Sequence, residues 1–100
     1  MNAQINFEDK ICLITGAGSS TGIGFATAQI IGKLGGKVLL VATSERIHER
    51  VQELEVMGVE AKGYITDLMD RKQVKNLIDS VIKEFDRIDI LINNAGGVFT

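Results

Sequence analysis

The chain has 100 residues, 45% of them hydrophobic, which indicates one folded domain or part of one rather than a disordered segment. Its 11 basic and 13 acidic side chains give a net charge of −2 without a basic cluster, so we expect no nucleic-acid partner. No apolar run reaches signal-peptide or membrane-spanning length, and a single cysteine allows no intrachain disulfide; we therefore expect a cytoplasmic protein with no membrane partner.

The first predicted elements are a strand, a glycine-rich loop and a helix. A continuous apolar run within Lys10 to Thr15 is typical of a strand buried on both faces. A helix is predicted from about Gly22 to Leu34, and Gly35-Gly36 would end it as a C-cap. Helical spacing assigns its apolar face to Ile23, Ala26, Ile30 and Leu34.

The loop between this strand and helix has the features of a phosphate site. A helix start has unpaired N–H groups and a partial positive charge, and glycines let the backbone approach a ligand where a Cβ would collide. The spacing Gly18-x-x-x-Gly22-x-Gly24 is present, whereas G-x-G-x-x-G fails at Thr21 and no P-loop lysine follows. The alternative is a turn that only connects the two elements, and the flanking strand and helix favour the phosphate site.

A second strand and helix follow. Lys37 to Ala42 is another continuous apolar run, and Thr43-Ser44 offers an N-cap for a helix that stops at Gly58. The side chains expected to be buried are Ile47, Val51, Leu54 and Val56 or Met57. The outer, solvated face is predicted to hold His48 with Glu45, Glu49 and Arg50.

The third helix has the strongest amphipathic pattern. A third strand is predicted at Val59 to Ile65, and Asp70 would then cap the helix with Gln73 as its capping-box partner. Ile88 to Ile92 is predicted as the fourth strand. The apolar stripe of the helix consists of Val74, Leu77, Ile78, Val81, Ile82 and Phe85.

This β-α-β-α-β-α-β order predicts an α/β fold. Short strands joined by helices pair in parallel through right-handed crossovers. A phosphate loop after the first strand indicates a doubly wound parallel sheet with the spatial order 3-2-1-4. Because the fourth strand is as apolar as the first, a sheet ending there would expose a hydrophobic edge, and we expect more chain or a partner beside it.

The glycine loop, together with Asn93-Asn94-Ala95-Gly96 after the fourth strand, resembles the short-chain dehydrogenase/reductase family. That family's loop is Thr-Gly-x-x-x-Gly-x-Gly, whereas here five residues rather than three separate Gly16 from Gly22. Either the loop is two residues longer, or Gly18 takes the role of the first glycine; we favour the longer loop because Thr15-Gly16 directly ends the strand. The resemblance implies that residues 1–100 are the N-terminal part of a single NAD(P)-binding Rossmann domain.

The resemblance also implies cofactor contacts at the end of each strand. In the family, an Asp after the third strand bonds the adenine amino group and the next backbone N–H meets a ring nitrogen, which implies these roles for Asp67 and Leu68. A turn-forming role for Asp67 is compatible with this. The Asn-Asn-Ala-Gly segment would line the adenosine ribose, and its first Asn would tie neighbouring strands together. The implied cofactor-binding residues are Gly16, Ser19, Ser20, Thr21, Gly22, Ile23, Gly24, Asp67, Leu68, Asn94, Ala95 and Gly96.

The end of the second strand bears on which cofactor is bound. An NAD site places an acidic residue there, whereas an NADP site lacks this charge and adds a cation. Ala42 stands at the acidic position, and Thr43, Ser44 and Arg46 could hold a 2′-phosphate through hydroxyls, a helix N-terminus and a guanidinium. We therefore expect NADP in preference to NAD; a plain helix cap with an exposed arginine is the alternative.

No catalytic set can be assembled from this sequence. The family uses a Tyr, a Lys four residues later, a Ser and an Asn, all beyond the Asn-Asn-Ala-Gly segment, whereas the single tyrosine here, Tyr64, has Leu68 four residues on. The resemblance implies the coenzyme-binding portion of an oxidoreductase for a small-molecule carbonyl or secondary alcohol, homo-oligomeric at full length, with this chain inactive alone. One alternative is a free-standing nucleotide-binding or regulatory module without catalysis; another, within the enzyme class, is a 3-oxoacyl-carrier-protein reductase.

Overall fold

A computed structural model describes residues 6–19 and 21–94 of the protein, and within these ranges strands and helices alternate in the predicted order. The strands are β1 (Ile11–Thr15), β2 (Lys37–Ala42), β3 (Ala61–Ile65) and β4 (Ile90–Ile92). The helices are α1 (Ile23–Lys33), α2 (Arg46–Val56) and α3 (Arg71–Phe85). Within the described ranges, no helix has both the length and the apolar character needed to cross a membrane.

The strands form one parallel sheet in the order β3-β2-β1-β4, which confirms the predicted doubly wound arrangement. In its register, Leu13 of β1 lies between Leu39 of β2 and Leu91 of β4. Because the strands are parallel, their carboxyl ends and the loops that leave them lie along one edge of the sheet. This edge carries the candidate site.

Apart from Thr15 and Lys37 at their ends, the two central strands are apolar, because helices cover both faces of the sheet. Alternate side chains point to opposite faces, so each strand contributes to two cores. The core beneath α1 and α2 includes Cys12, Ile14, Val38 and Leu40. The core beneath α3 includes Ile11, Leu13, Leu39 and Val41.

Two strands begin later than the apolar pattern predicts. β3 begins at Ala61, because the Val59 amide bonds back to a carbonyl at the end of α2 at 3.0 Å and completes the turn there. β4 begins at Ile90, and ahead of it the Asp89 carboxylate accepts the Ile11 amide at 2.8 Å. A side chain here takes the place of a backbone acceptor between β1 and β4.

The predicted apolar face of α1 is wrong. Ile23 is 75% exposed and Ile30 is 61% exposed. Gly24 and Gly32 lie on the inner side, where a Cβ on Gly32 would stand 2.2 Å from a methyl carbon of Val59. The face that α1 turns toward the core is set by close contact of these two glycines with neighbouring chain, and not by the positions of the isoleucines. The side chains that it buries are those of Phe25, Ala28 and Ile31.

The N-terminus of α2 also differs from the prediction. Glu45, not Thr43 or Ser44, occupies the N-cap position, and no side chain caps the helix. Ile47 and Leu54 are buried as predicted.

The C-terminal half of α2 needs two further corrections. Val56 is 89% exposed and Met57 is also exposed, because the left-handed Gly58 (φ +82°) reverses the chain and Val59 enters the core instead. Arg50, predicted on the outer face, is buried.

Asp70 caps α3 as predicted, but Gln73 does not close a capping box, because the Asp70 amide donates to the Asp67 carbonyl at 3.0 Å instead. The Asp70 carboxylate accepts the amides of Lys72 at 2.9 Å and Gln73 at 3.3 Å. The Gln73 side chain donates to Asp70 at 3.2 Å and accepts the amide of Asp67 at 2.9 Å, so it links the cap to the end of β3.

The apolar stripe of α3 is only partly buried. Leu77 and Val81 lie in the core, whereas Ile78 and Ile82 are each exposed by more than a third of their surface. The helix therefore presents an apolar flank that no other element covers in residues 6–19 and 21–94.

Candidate functional site

The glycine loop begins with a sharp turn at the end of β1. Gly16 has φ +68°, a conformation that glycine adopts without a Cβ penalty, and its amide donates to the Val41 carbonyl at 2.9 Å. A Cβ on Gly18 would lie 3.1 Å from the Cβ of Ala42. The loop is thus pressed against the carboxyl ends of β1 and β2.

The next part of the loop is a turn held by its own polar groups. The Gly22 amide donates to the Ser19 carbonyl at 3.3 Å, and the Ser19 hydroxyl accepts the Thr21 amide at 3.3 Å. The Ser19 and Thr21 hydroxyl oxygens are 3.2 Å apart. Ser20 lies outside the described residues. Ser19, one of the residues that lengthen the loop, thus forms part of a turn immediately before α1.

The N-terminus of α1 is open to a ligand. Gly22 is its N-cap residue and contributes no side-chain hydrogen bond, and the first turn contains no acidic residue. The opening N–H groups of a helix have no intrahelical acceptor, and they include those of Ile23 and Gly24. Within the described chain, the three atoms nearest to a Cβ on Gly22 all belong to Ser19 and lie 3.5 Å or more away.

Three polar residues tie the ends of β1 and β4 together. The Thr15 hydroxyl donates to the Asn93 side-chain oxygen at 2.9 Å and accepts the Asn94 amide at 2.9 Å. The Asn94 side-chain amide donates to the Gly16 carbonyl at 3.3 Å. The predicted role of the first Asn in tying strands fits this network, whereas the central role of Thr15 was not predicted. The remaining predicted residues of this segment, Ala95 and Gly96, lie outside the described residues.

The end of β2 presents hydroxyls and a cation. Ala42 is half-buried, while Thr43, Ser44 and Arg46 are exposed. Within residues 6–19 and 21–94, no carboxylate lies within ion-pair distance of Arg46. The position between the glycine loop and α2 thus carries no negative charge until Glu45.

The end of β3 is organised by Asp67. One carboxylate oxygen of Asp67 accepts the Met69 amide at 3.0 Å, which is an Asx turn, and the Thr66 amide donates to the Ala42 carbonyl at 2.9 Å. Asp67 is exposed. In the described part of the chain, its second carboxylate oxygen and the Leu68 amide have no hydrogen-bond partner. The turn role of Asp67 leaves both groups available to a ligand.

The titratable groups outside this edge do not form a reactive set. Burial raises the pKa of the Cys12 thiol to about 11, so this cysteine is protonated at neutral pH. Tyr64 lies in β3 with the Lys62 ammonium 5.5 Å from its ring centre, and burial raises the pKa of its hydroxyl. Residues 6–19 and 21–94 contain no cluster of His, Cys, Asp or Glu side chains able to hold a metal ion.

Comparison with protein families and curated sequences gives consistent matches. The family model described as short chain dehydrogenase matches residues 10–100. The chain is 36% identical over 90 residues to tropinone reductase-like 3 of Erythroxylum coca, covering 89% of this chain and 34% of that protein. It is 38% identical over 92 residues to the 3-oxoacyl-(acyl-carrier-protein) reductase FabG of Escherichia coli, covering 92% of this chain and 36% of the reductase. The chain thus spans about a third of the length of these relatives.

Solved structures share the fold. A metagenomic short-chain oxidoreductase in complex with NADP superposes with a TM-score of 0.86 at 32% identity, covering 91% of this chain and 41% of that one. A NAD+-bound xylitol dehydrogenase superposes with a TM-score of 0.84 at 37% identity, covering 91% of this chain and 35% of that one.

Proposed function

The chain belongs to the short-chain dehydrogenase family, and on that premise we propose that it is the coenzyme-binding portion of an oxidoreductase. The reaction is hydride transfer between a nicotinamide dinucleotide and a carbonyl or secondary alcohol of a small molecule. The observation that carries this proposal is the open N-terminus of α1, with no side-chain cap, no acidic residue in its first turn and a glycine loop before it. Residues 1–100 are then the N-terminal part of a single NAD(P)-binding domain.

The diphosphate of the cofactor would lie at the N-terminus of α1. The first-turn amides supply donors, and the helix dipole favours an anion there by about 0.3–1 kcal/mol at an exposed site. Gly22 has no side chain to occupy this space, and the hydrogen bonds of Thr15 with Asn93 and Asn94 fix the start of the loop at the end of β1. The hydroxyls of Ser19 and Thr21 lie on the same loop and are candidates for direct phosphate contacts, as is Ser20.

The adenosine end would lie across the ends of β2, β3 and β4. The second carboxylate oxygen of Asp67 would accept a hydrogen bond from the adenine amino group, and the Leu68 amide would donate one to a nitrogen of the adenine ring. Asn94, Ala95 and Gly96 line the adenosine ribose. Support for this placement comes from the parallel sheet, which brings these loops to one edge.

Thr43, Ser44 and Arg46 would bind a 2′-phosphate, so NADP(H) is the preferred cofactor and NAD(H) the weaker one. The absence of a carboxylate at Ala42 supports this preference, because a carboxylate there would bond the ribose hydroxyls of NAD and repel the extra phosphate of NADP. The two bound neighbours described above hold one cofactor each, so the family accommodates both.

The proton-transfer residues belong to parts of the protein beyond these 100 residues. The single tyrosine, Tyr64, packs against the core beneath α3 and has no lysine at the fourth position after it. We therefore expect the 100-residue chain alone to be inactive. Separately, the resemblance to the family leads us to expect that the whole protein is a homo-oligomer. The similarity to FabG supports a 3-oxoacyl-carrier-protein reductase as one specific form of this activity.

A cofactor-oxidation assay tests the proposal. The whole protein is mixed with NADPH or NADH and a panel of ketones that includes a 3-oxoacyl thioester, and loss of the reduced cofactor is followed. Oxidation with NADPH in preference to NADH is expected, and turnover by the isolated 100-residue chain above a heat-killed control would contradict the assignment. Tight cofactor binding by the whole protein without turnover of any substrate would favour the alternative, a nucleotide-binding module without catalysis.

A further inference from the structure

One charged side chain lies in the interior, away from the groups assigned to the cofactor. Arg50 of α2 is only 8% exposed. Its Nε atom is buried and has no hydrogen-bond partner within residues 6–19 and 21–94. Removing a guanidinium from water is costly unless its charge is compensated, so the contacts of Arg50 must offset that cost.

In the part of the chain that the structure describes, the carboxylate and ring partners of the Arg50 guanidinium lie on α2 and α1. The Arg50 Nη2 atom lies 2.6 Å from a carboxylate oxygen of Glu53 and 3.6 Å from one of Glu49, and both carboxylates belong to its own helix. On its other side, the guanidinium carbon lies 5.6 Å from the centre of the Phe25 ring, within the range of a cation–π interaction. Phe25 is buried in the first turn of α1.

This contact joins the two helix starts that flank the candidate site. Phe25 belongs to the turn whose amides face the diphosphate in the proposed function. Arg50 lies one helical turn after Arg46, which faces the 2′-phosphate. We propose that Arg50, through Phe25, is a positioning residue that sets the separation between the diphosphate and 2′-phosphate parts of the site. This inference rests on the proposed function and concerns a residue that touches no cofactor.

A positioning role has a signature that general stabilisation lacks. NADPH spans both helix starts, so its affinity depends on their separation. Adenosine 2′-monophosphate reaches the ends of β2, β3 and β4 but not the N-terminus of α1, so its affinity does not depend on that separation. Loss of the Arg50 contact should therefore weaken the dinucleotide and leave the mononucleotide unchanged.

Two variants remove the contact in different ways. Arg50→Met keeps an unbranched side chain but removes the charge, whereas Phe25→Leu keeps Arg50 and its pair with Glu53 but removes the ring. The control is Lys75→Met, which removes a cation from an exposed pair with Asp79 on α3. Calorimetric titration of the whole protein measures Kd for NADPH and for adenosine 2′-monophosphate in each variant.

We expect both variants to weaken NADPH binding by about tenfold and to change the Kd of the mononucleotide by less than about twofold, while the control changes neither. Tenfold corresponds to about 1.4 kcal/mol, within the range of a partly desolvated cation–π contact. Equal losses for the two ligands, or no loss for NADPH, would overturn the positioning role. If Arg50→Met does not fold, Phe25→Leu decides alone. A wild-type protein that binds neither ligand would instead overturn the proposed function, before any variant is compared.

Discussion

Replacing Gly24 by alanine tests how closely α1 must approach the strands. Gly24 is buried, and a Cβ on it would lie 2.9 Å from the Gly16 carbonyl oxygen and 2.9 Å from the Asn94 side-chain nitrogen. Carbon atoms do not approach backbone this closely, so either α1 shifts outward or Asn94 gives up its hydrogen bond to Gly16.

Two costs and one gain determine the expected change in the free energy of unfolding. Overpacking a filled site costs about 1–3 kcal/mol, and loss of one neutral hydrogen bond costs about 1 kcal/mol. Alanine in place of glycine within a helix returns about 1 kcal/mol. Gly24→Ala should therefore lower the free energy of unfolding by about 1–3 kcal/mol.

Gly22→Ala is the matched control, at the N-cap of α1 and two positions before Gly24. Gly22 has φ −82° and a Cβ there meets nothing closer than 3.5 Å, so the added methyl should cost less than about 1 kcal/mol. Urea denaturation without ligand measures both variants against the wild type. If Gly24→Ala is as stable as the wild type, or no less stable than Gly22→Ala, the close approach of α1 does not constrain the fold.

Three further predictions address cofactor choice, loop register and pH. Ala42→Asp should reverse the preference for NADP(H) and raise the Kd of NADP(H) about tenfold or more, since the new carboxylate would face a 2′-phosphate that carries about two negative charges. An unchanged ratio of the affinities for NADP(H) and NAD(H) would mean that the end of β2 does not face the ribose. Deleting Ser19-Ser20 should preserve folding and much of the NADPH binding measured by thermal shift; loss of all binding in a folded variant would show that phosphate contacts of these two residues are essential and that Gly18 sets the register. Backbone amides hold the pKa of both Asp70 and Asp89 below the usual range, so their stabilisation is present above the unfolded-state pKa of about 3.9 and is lost as pH falls through the folded-state values. The denaturation midpoint of Asp89→Asn should then fall less steeply than that of the wild type below about pH 4, and parallel curves would argue against this linkage.

The topology was predictable because it depends on local patterns. Apolar runs bounded by Gly, Ser and Asp mark the strands, and the alternation with helices leaves few ways to form a parallel sheet. The cap at Asp70 was predictable for the same reason, because its partners Lys72 and Gln73 lie within three residues.

The packing of individual helix faces was not predictable from spacing alone. The exposed Ile23 and Ile30 satisfy helical periodicity as well as the buried Phe25 and Ile31 do. What decides between the two faces is the contact of Gly32 with Val59, 27 positions away in sequence. Non-local close approach of this kind leaves no periodic signal.

Two features of the site were missed for the same reason. Thr15 was predicted only as the last residue of a strand. Its hydroxyl forms hydrogen bonds with Asn93 and Asn94, which are distant in sequence and follow β4. Arg50 was assigned to a charged surface face, because a sequence of alternating charges around it is typical of solvated helices. Its burial against Phe25 becomes visible only once α1 and α2 lie side by side.

The proposed function places the diphosphate of a nicotinamide dinucleotide at the glycine loop and the N-terminus of α1. Fluorescence titration of the whole protein with NADPH tests it most directly, with wild type and Gly22→Val compared at matched concentration and their melting temperatures recorded without ligand. We expect saturable binding to one site per chain in the wild type, and its loss in Gly22→Val with only a modest fall in melting temperature. Equal binding by both proteins, or no binding by a folded wild type, would contradict it.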